Sequence, residues 1–176
     1  FETDVDAAQQ ALDDAGVSGL SIDLMVTSEF PETITAGEVI ASQLGEVGID
    51  VQIRTEDFNT WLADQGEGEF DAFMLSWLGN IDPDDFYYAQ HHSEGVNNFH
   101  GFSDPEVDEL LDEARAELDD DARKDLYDQA AERIVDQVSY IYLYNPDIVE
   151  AWSPNVAGYV TRADVATRFN ETRLEE

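Results

Sequence analysis

FDAFMLSWLGNIDPDDF, residues 70–86, is the stretch whose reading decides the fold. Phe70, Ala72, Phe73, Met74 and Leu75 form a short apolar run interrupted only by Asp71, the pattern of a strand covered on both faces. Trp77, Gly79, Asn80 and Asp82-Pro83 then replace that run with turn chemistry. Open α/β sheets receive ligands beyond the carboxyl ends of their strands. A large indole placed there beside polar loop groups is what a small-molecule pocket requires.

Working outward, helical and strand patterns alternate. Asp4 is placed to cap a helix with Val5, Ala8, Leu12 and Ala15 on one face, stopped by Gly16. Leu20 to Thr27 alternates as a strand, and Thr33 to Val47 is helical with Ala36, Ile40, Leu44 and Val47 inward. Ile49 to Arg54 is the next strand, Phe58 to Asp64 a short helix, and Phe70 to Trp77 the third strand. Such alternation builds βαβ units and a mostly parallel sheet.

An αα hairpin follows the loop. Asp104-Pro105 supplies an N-cap and a first-turn proline, and Val107, Leu110, Leu111, Ala114 and Leu118 form its buried stripe. Asp119 to Asp121 reads as a solvated turn that caps a second helix, which buries Leu126, Ala130, Ile134 and Val138. Tyr140 to Tyr144 and Ile148 to Trp152 read as short strands of the same sheet, with Trp152 in the core. Residues 161–176 lack an apolar period and form a loose tail after a domain spanning residues 1–160.

Composition narrows the function. There are 41 Asp and Glu against 8 Lys and Arg, a formal net charge of −33, with the acids spread over every helix face. Such self-repulsion opposes compaction at low salt and is screened at molar salt, where the Debye length is about 3 Å. With 43% hydrophobic and 11% aromatic residues the chain is not a disordered acidic polymer, and the surface reads as salt-adapted, of haloarchaeal type. Binding of nucleic acid is excluded by repulsion from the phosphates. No cysteine is present, which removes disulfides and thiolate chemistry. No apolar segment is long enough to span a bilayer.

No GxSxG elbow, phosphate loop or dinucleotide fingerprint occurs, and Ser76 has no histidine partner evident in the sequence. His91, His92, Glu94 and His100 lack the spacing of a zinc site, and Asp82 to Asp85 lacks the calcium-loop period. No catalytic residue, metal or cofactor is therefore expected. The readings left open are a binding module, a hydrolase on the same scaffold, and an interaction domain without a ligand.

Several pieces in order favour the first. LGEVGIDVQI (44–53), FNTWL (58–62), Phe70-Asp71, Trp77-Leu78-Gly79, Asp82-Pro83-Asp84 and Asn97-Asn98-Phe99 resemble the family 5 extracellular solute-binding proteins of ABC importers, the dipeptide- and oligopeptide-binding group. Residues 102–134 are similar to that family's helical pair, and WSPNVAGY (152–159) to its terminal segment. The resemblance implies a periplasmic-binding-protein-like α/β lobe, with a mixed, mostly parallel sheet flanked by helices and an αα hairpin. It also implies the later lobe of a two-lobe protein, with the N-terminal lobe and any secretion signal or membrane anchor outside this chain. The implied role is extracellular capture of a peptide or other small solute in an interlobe cleft, for delivery to a membrane permease.

By matching positions, Trp77 falls on the aromatic that flanks the ligand in oligopeptide-type proteins, and Phe58 on another cleft aromatic. Gly79 allows close backbone approach. Asn80 stands where peptide binders of the family place an aspartate against the ligand's α-amino group. An amide keeps hydrogen bonding there but loses the charge-assisted contact. Asp82, two residues on, is the carboxylate placed to replace it, and a sugar, a metal complex or a blocked peptide is the alternative ligand.

Overall fold

The computed structural model describes residues 3–77, 81–162, 164 and 166–175. The chain divides into two compact units, Phe1–Ser76 and Trp77–Glu176, within the span that the sequence assigns to one lobe.

The first unit begins with α1 (Val5–Ala15), whose N-terminal amides are capped by Asp4 Oδ1 accepting from Ala7 N at 2.8 Å. Gly16 closes it in the left-handed region at φ 66°, as a C-terminal glycine should. The apolar face expected on this helix is present in sequence, but none of its residues is buried within the unit. Strand β1 (Ser21–Thr27), helix α2 (Pro31–Gly45) and strand β2 (Asp50–Glu56) make the first βαβ unit. Helix α3 (Phe58–Glu67) leads to the two-residue strand β3 (Ala72–Phe73).

The sheet order is β2-β1-β3 and both pairings are parallel, with Ser21 opposite Asp50, Thr27 opposite Glu56, and Leu24 opposite Ala72. Leu24, Met25, Val26 and Thr27 are buried in the central strand. The helix α2 crosses close above them at Gly37, where a Cβ would stand 3.5 Å from Leu24 and 3.6 Å from Val26. Arg54 ties the layer together. Its Nε donates to Asp23 Oδ2 at 2.8 Å and its Nη1 to Asp64 Oδ2 at 2.5 Å, with Glu56 and the Glu69 carbonyl as further acceptors.

The third strand is shorter than its sequence suggests. Only Ala72 and Phe73 pair as a strand, extended by Met74 N donating to the Met25 carbonyl at 3.0 Å. Phe70, Phe73, Met74 and Leu75 are half-buried, so the run is not covered on both faces.

The second unit is helical. α4 (Asp84–His91) follows the loop and was not legible as an element. α5 (Pro105–Ala116) and α6 (Asp120–Asp136) form the expected hairpin around Val107, Leu111, Ala114, Tyr127, Ala130 and Ile134. Leu118 and Val138, expected in the stripes, are 95% and 56% exposed because both helices end before reaching them. Asn98 holds the connecting loop: its amide donates to the His92 and Phe102 carbonyls at 3.1 and 2.7 Å and accepts from Phe102 N at 2.9 Å.

Residues 140–152 carry no strand, which corrects the expectation that they join the sheet, and Trp152 is 47% exposed, not core. The tail is less loose than its composition implies, since Arg173–Leu174 (β5) pairs antiparallel with Val156–Ala157 (β4).

Candidate functional site

In this 2-1-3 sheet the connection from β1 runs to β2 on one side and the connection from β2 crosses back to β3 on the other, and such a reversal opens a crevice at the carboxyl ends beside β1. Here the segment after β1 is Ser28-Glu29-Phe30, the one after β2 is Asp57-Phe58, and the one after β3 is Met74-Leu75-Ser76.

Phe30 and Phe58 meet edge to face with centroids 5.6 Å apart, and both are half-buried. Phe58 is held at the first turn of α3 by Asp57, whose Oδ1 accepts from Asn59 N and Thr60 N at 3.1 and 3.3 Å. It overlies Trp61 at 6.1 Å, and Trp61 in turn meets Phe73 edge-on at 5.5 Å. Trp61 is wholly buried and anchors α3 to the sheet. The aromatic set therefore runs from the core out to the strand ends, with Phe58 and Phe30 at its open end.

Glu29 is the charged group at that end. Its Oε2 accepts from the Thr27 hydroxyl at 2.7 Å and the Ser28 hydroxyl at 3.0 Å, while the side chain remains exposed. These hydroxyls, Thr27 foremost, and the backbone amides of Glu29 and Phe58 hold its carboxyl below the usual carboxylate range, against a smaller opposing effect of desolvation. Sequence reasoning missed Glu29 and Phe30. Their signal is position alone, directly after the central strand and before Pro31.

Of the residues singled out in the sequence, Phe58 lies at this edge. Trp77 is 46% exposed at the start of the second unit. Gly79 and Asn80 lie outside the described residues. Asp82 is exposed, and its Oδ1 accepts from Asp84 N at 3.1 Å, an Asx-type turn leading into α4.

In the second unit the histidines form a hydrogen-bonded cluster. The Ser139 hydroxyl lies 2.9 Å from His91 Nδ1 and 2.8 Å from His100 Nε2, and the Tyr142 hydroxyl lies 2.9 Å from His91 Nε2. Burial first, and the neighbouring His100 second, push His91 down to a pKa of about 3. Its ring is therefore neutral. His92 instead stacks on Tyr88 at 4.1 Å. Among the described residues no group of His, Asp and Glu is arranged to hold a metal ion. A shallow cleft of about 240 Å³ lies beside the stacked Tyr87 and Tyr127, with Arg123 and Lys124 on its rim. Lys124 is paired there with Asp128.

The model of the bacterial extracellular solute-binding proteins, family 5 (Middle), matches residues 1–98. The dipeptide-binding protein of Escherichia coli is 30% identical over 125 residues, which is 66% of this chain and 23% of that protein. The probable di/tripeptide-binding protein 5 of Pseudomonas aeruginosa is 29% identical over 90 residues, 49% of this chain and 17% of that protein. The oligopeptide-binding protein AppA of Bacillus subtilis, solved with a nonapeptide, superposes with a TM-score of 0.87 at 22% identity and covers all of this chain against 38% of its own. The ABC transporter-associated periplasmic binding protein DppA of Helicobacter pylori, solved with the peptide STSA, gives 0.80 at 25% identity, with 100% and 35% coverage. The chain thus spans under a quarter of the curated relatives' length and little over a third of the solved chains.

Proposed function

This chain belongs to family 5 of the bacterial extracellular solute-binding proteins, and on that premise we propose that it is part of the solute-capture subunit of an ABC importer. Its default ligand is a short peptide. The observation that carries the reading is the aromatic edge at the carboxyl ends of β1 and β2, where Phe30 and Phe58 stand beside the ionised Glu29. Rings provide apolar contact area at low entropic cost, and a few polar groups fix orientation. Trp77, Gly79, Asn80 and Asp82 are proposed as further ligand contacts, and residues 1–160 as one ligand-binding lobe. The relatives named above are peptide-binding proteins by name, which supports the peptide class.

The role is capture without chemistry. The ligand bridges this lobe and an N-terminal lobe, shifts an open–closed equilibrium, and the closed form docks on the permease. The site of action is the cell exterior, with anchoring to the membrane through another part of the protein. The acidic surface adapts it to salt.

The test is tryptophan emission of the full-length protein in molar KCl, titrated with peptide and oligosaccharide pools. A saturable change with peptides that is lost in a folded Trp77→Ala variant supports the reading. A response to sugars alone moves the ligand class, and no response to either pool overturns capture.

A further inference from the structure

We propose that Asn170 is a glycosylation site, whose side-chain amide receives a sugar chain at the cell exterior. The proposal rests on the extracellular placement of the family and is independent of which solute is captured.

Asn170-Glu171-Thr172 has the N-x-T pattern of a glycan acceptor, with no proline in the middle, and no other asparagine of the 176 residues has Ser or Thr two places on. So short a motif needs a structural context, and the second unit supplies one. Thr172 N donates to the Phe169 carbonyl at 3.1 Å, so residues 169–172 form a tight turn directly before β5. Asn170 and Glu171 are the two central residues of that turn, and both are exposed. The turn is held from the β4 side. Gly158 is left-handed at φ 74°, and a Cβ there would stand 2.2 Å from the Glu171 carbonyl oxygen. An amide at the tip of such a ribbon is open to a large transferase.

Three further features suit the modification. The Thr172 hydroxyl is buried without a hydrogen-bond partner among the described residues, so the group that the motif requires is not spent on the fold. Because β4 and β5 pair over only two residues each, opening the ribbon to present that hydroxyl costs little. Phe169, 66% exposed beside the acceptor and 6.3 Å from the Tyr159 ring, offers the C–H face of the first sugar an apolar platform. The third feature is charge. Arg162, Arg168 and Arg173 are three of the chain's 8 basic residues, and they pair here with Asp164 and Glu175. An anionic, phosphate-linked sugar donor therefore meets a balanced patch on a chain whose net charge is −33.

The step is a substitution at carbon. Asn170 Nδ2 loses one proton to a base of the transferase and bonds to the anomeric carbon of the sugar. The bond from that carbon to the phosphate oxygen of a lipid-phosphate or lipid-pyrophosphate donor breaks, and the phosphate keeps the electron pair. Nothing is oxidised or reduced. The product places a bulky, hydrated chain over the β4–β5 ribbon.

The experiment uses the full-length protein purified from the cells that make it naturally, digested with trypsin, and reads the peptide Phe169–Arg173 by mass spectrometry. The wild-type peptide should carry a sugar mass on Asn170. Asn170→Gln and Thr172→Val should lose that mass entirely, and Thr172→Ser should keep it. Thr172→Val removes only a hydroxyl without a partner, so its circular dichroism should match that of the wild type. A bare wild-type peptide overturns the assignment. A sugar mass that survives Asn170→Gln or Thr172→Val also overturns it, because the attachment then does not use this motif. Labelling intact cells with a membrane-impermeant biotin reagent separates the two causes of a bare peptide. Labelled protein has reached the exterior unmodified, which overturns the assignment alone, whereas unlabelled protein overturns the extracellular placement with it.

Discussion

His91 Nδ1 lies 2.9 Å from the Ser139 hydroxyl, joining a buried ring on α4 to a residue 48 positions later that belongs to no regular element. His100 contacts the same hydroxyl, and Tyr142 the other ring nitrogen of His91. The cluster is enclosed by aromatic rings, Tyr140 and Phe102 among them. It holds the segment after α6 against α4 in place of backbone pairing.

A pH dependence follows from the ring's burial. His91 titrates near 6.5 when unfolded and at about 3 when folded. Between those values the unfolded chain carries a proton that the folded chain does not, so stability falls as pH is lowered through this window. His100 is shifted the same way by burial and adds to the slope. Urea unfolding in molar KCl between pH 6.5 and 5 should lose up to about 1.4 kcal/mol per pH unit for His91. The difference curve between wild type and His91→Gln should show that slope. Parallel curves would mean that the ring is protonated in the native state.

Asp104 caps α5 through Glu106 N and Val107 N at 2.9 and 3.3 Å and accepts from Arg133 Nε at 2.9 Å. Replacement by alanine removes cap and ion pair, at a cost of about 2 kcal/mol, with the half-exposed Arg133 limiting the ionic share. Asparagine keeps the cap and should cost about half as much. The Arg133 contact in particular lowers the Asp104 pKa, so its contribution is full above about pH 4 and is lost as pH falls through the folded value. The acid limb of a thermal melt series should be shallower in Asp104→Asn.

Trp61 is wholly buried between Phe58 and Phe73, and its indole N–H has no hydrogen-bond partner among the described residues. Trp61→Ala should cost about 3–5 kcal/mol by opening a cavity under the sheet. Trp61→Phe keeps most of the packing and removes the orphaned donor, so its cost should stay below about 1.5 kcal/mol. Circular dichroism in urea separates the two, and equal losses would show that the N–H is satisfied.

Two glycines should respond oppositely to a methyl group. In Gly37 the added Cβ meets only side chains at 3.5 Å and beyond, inside a helix, so Gly37→Ala should stabilise the fold by about 0.5–1 kcal/mol. At Gly95 the Cβ would stand 2.5 Å from the Tyr88 carbonyl oxygen and 2.6 Å from that of Ala89, so Gly95→Ala should destabilise by about 1–3 kcal/mol. Melting temperatures that move in the same direction for both would contradict this geometry.

Elements with their own caps and periods were legible in the sequence. Asp4, Asp104-Pro105 and Asp119 each mark a helix start, and both β1 and β2 form where expected, although β1 is buried continuously from Leu24 to Thr27 instead of alternating. The failures share a cause, which is that local pattern does not name a partner. Tyr140 to Tyr144 alternates like a strand, yet the rings of Tyr140 and Tyr142 serve the histidine cluster and no backbone among the described residues pairs with the segment. The helix α4 escaped notice because Pro83 at its start gives no side-chain cap and its sequence, DDFYYAQH, follows directly on turn residues. Leu118 fits the α5 period, but Glu117 has already left helical geometry. In the candidate site, Phe58 stood out through the family resemblance, as a residue matching a cleft aromatic. Glu29 was one of 41 acids, and only the register of β1 distinguishes it.

Lys124 on the rim of the tyrosine-lined cleft is the sole lysine of the chain, and its side chain is 70% exposed. Within these 176 residues amine-directed reagents therefore have a single side-chain address. Asp128, chiefly through its hydrogen bond, keeps that amine protonated beyond the usual range, so coupling calls for alkaline buffer. A succinimidyl fluorophore would then mark α6 without any substitution, giving an optical reporter on the second unit that a lysine-rich surface would not permit.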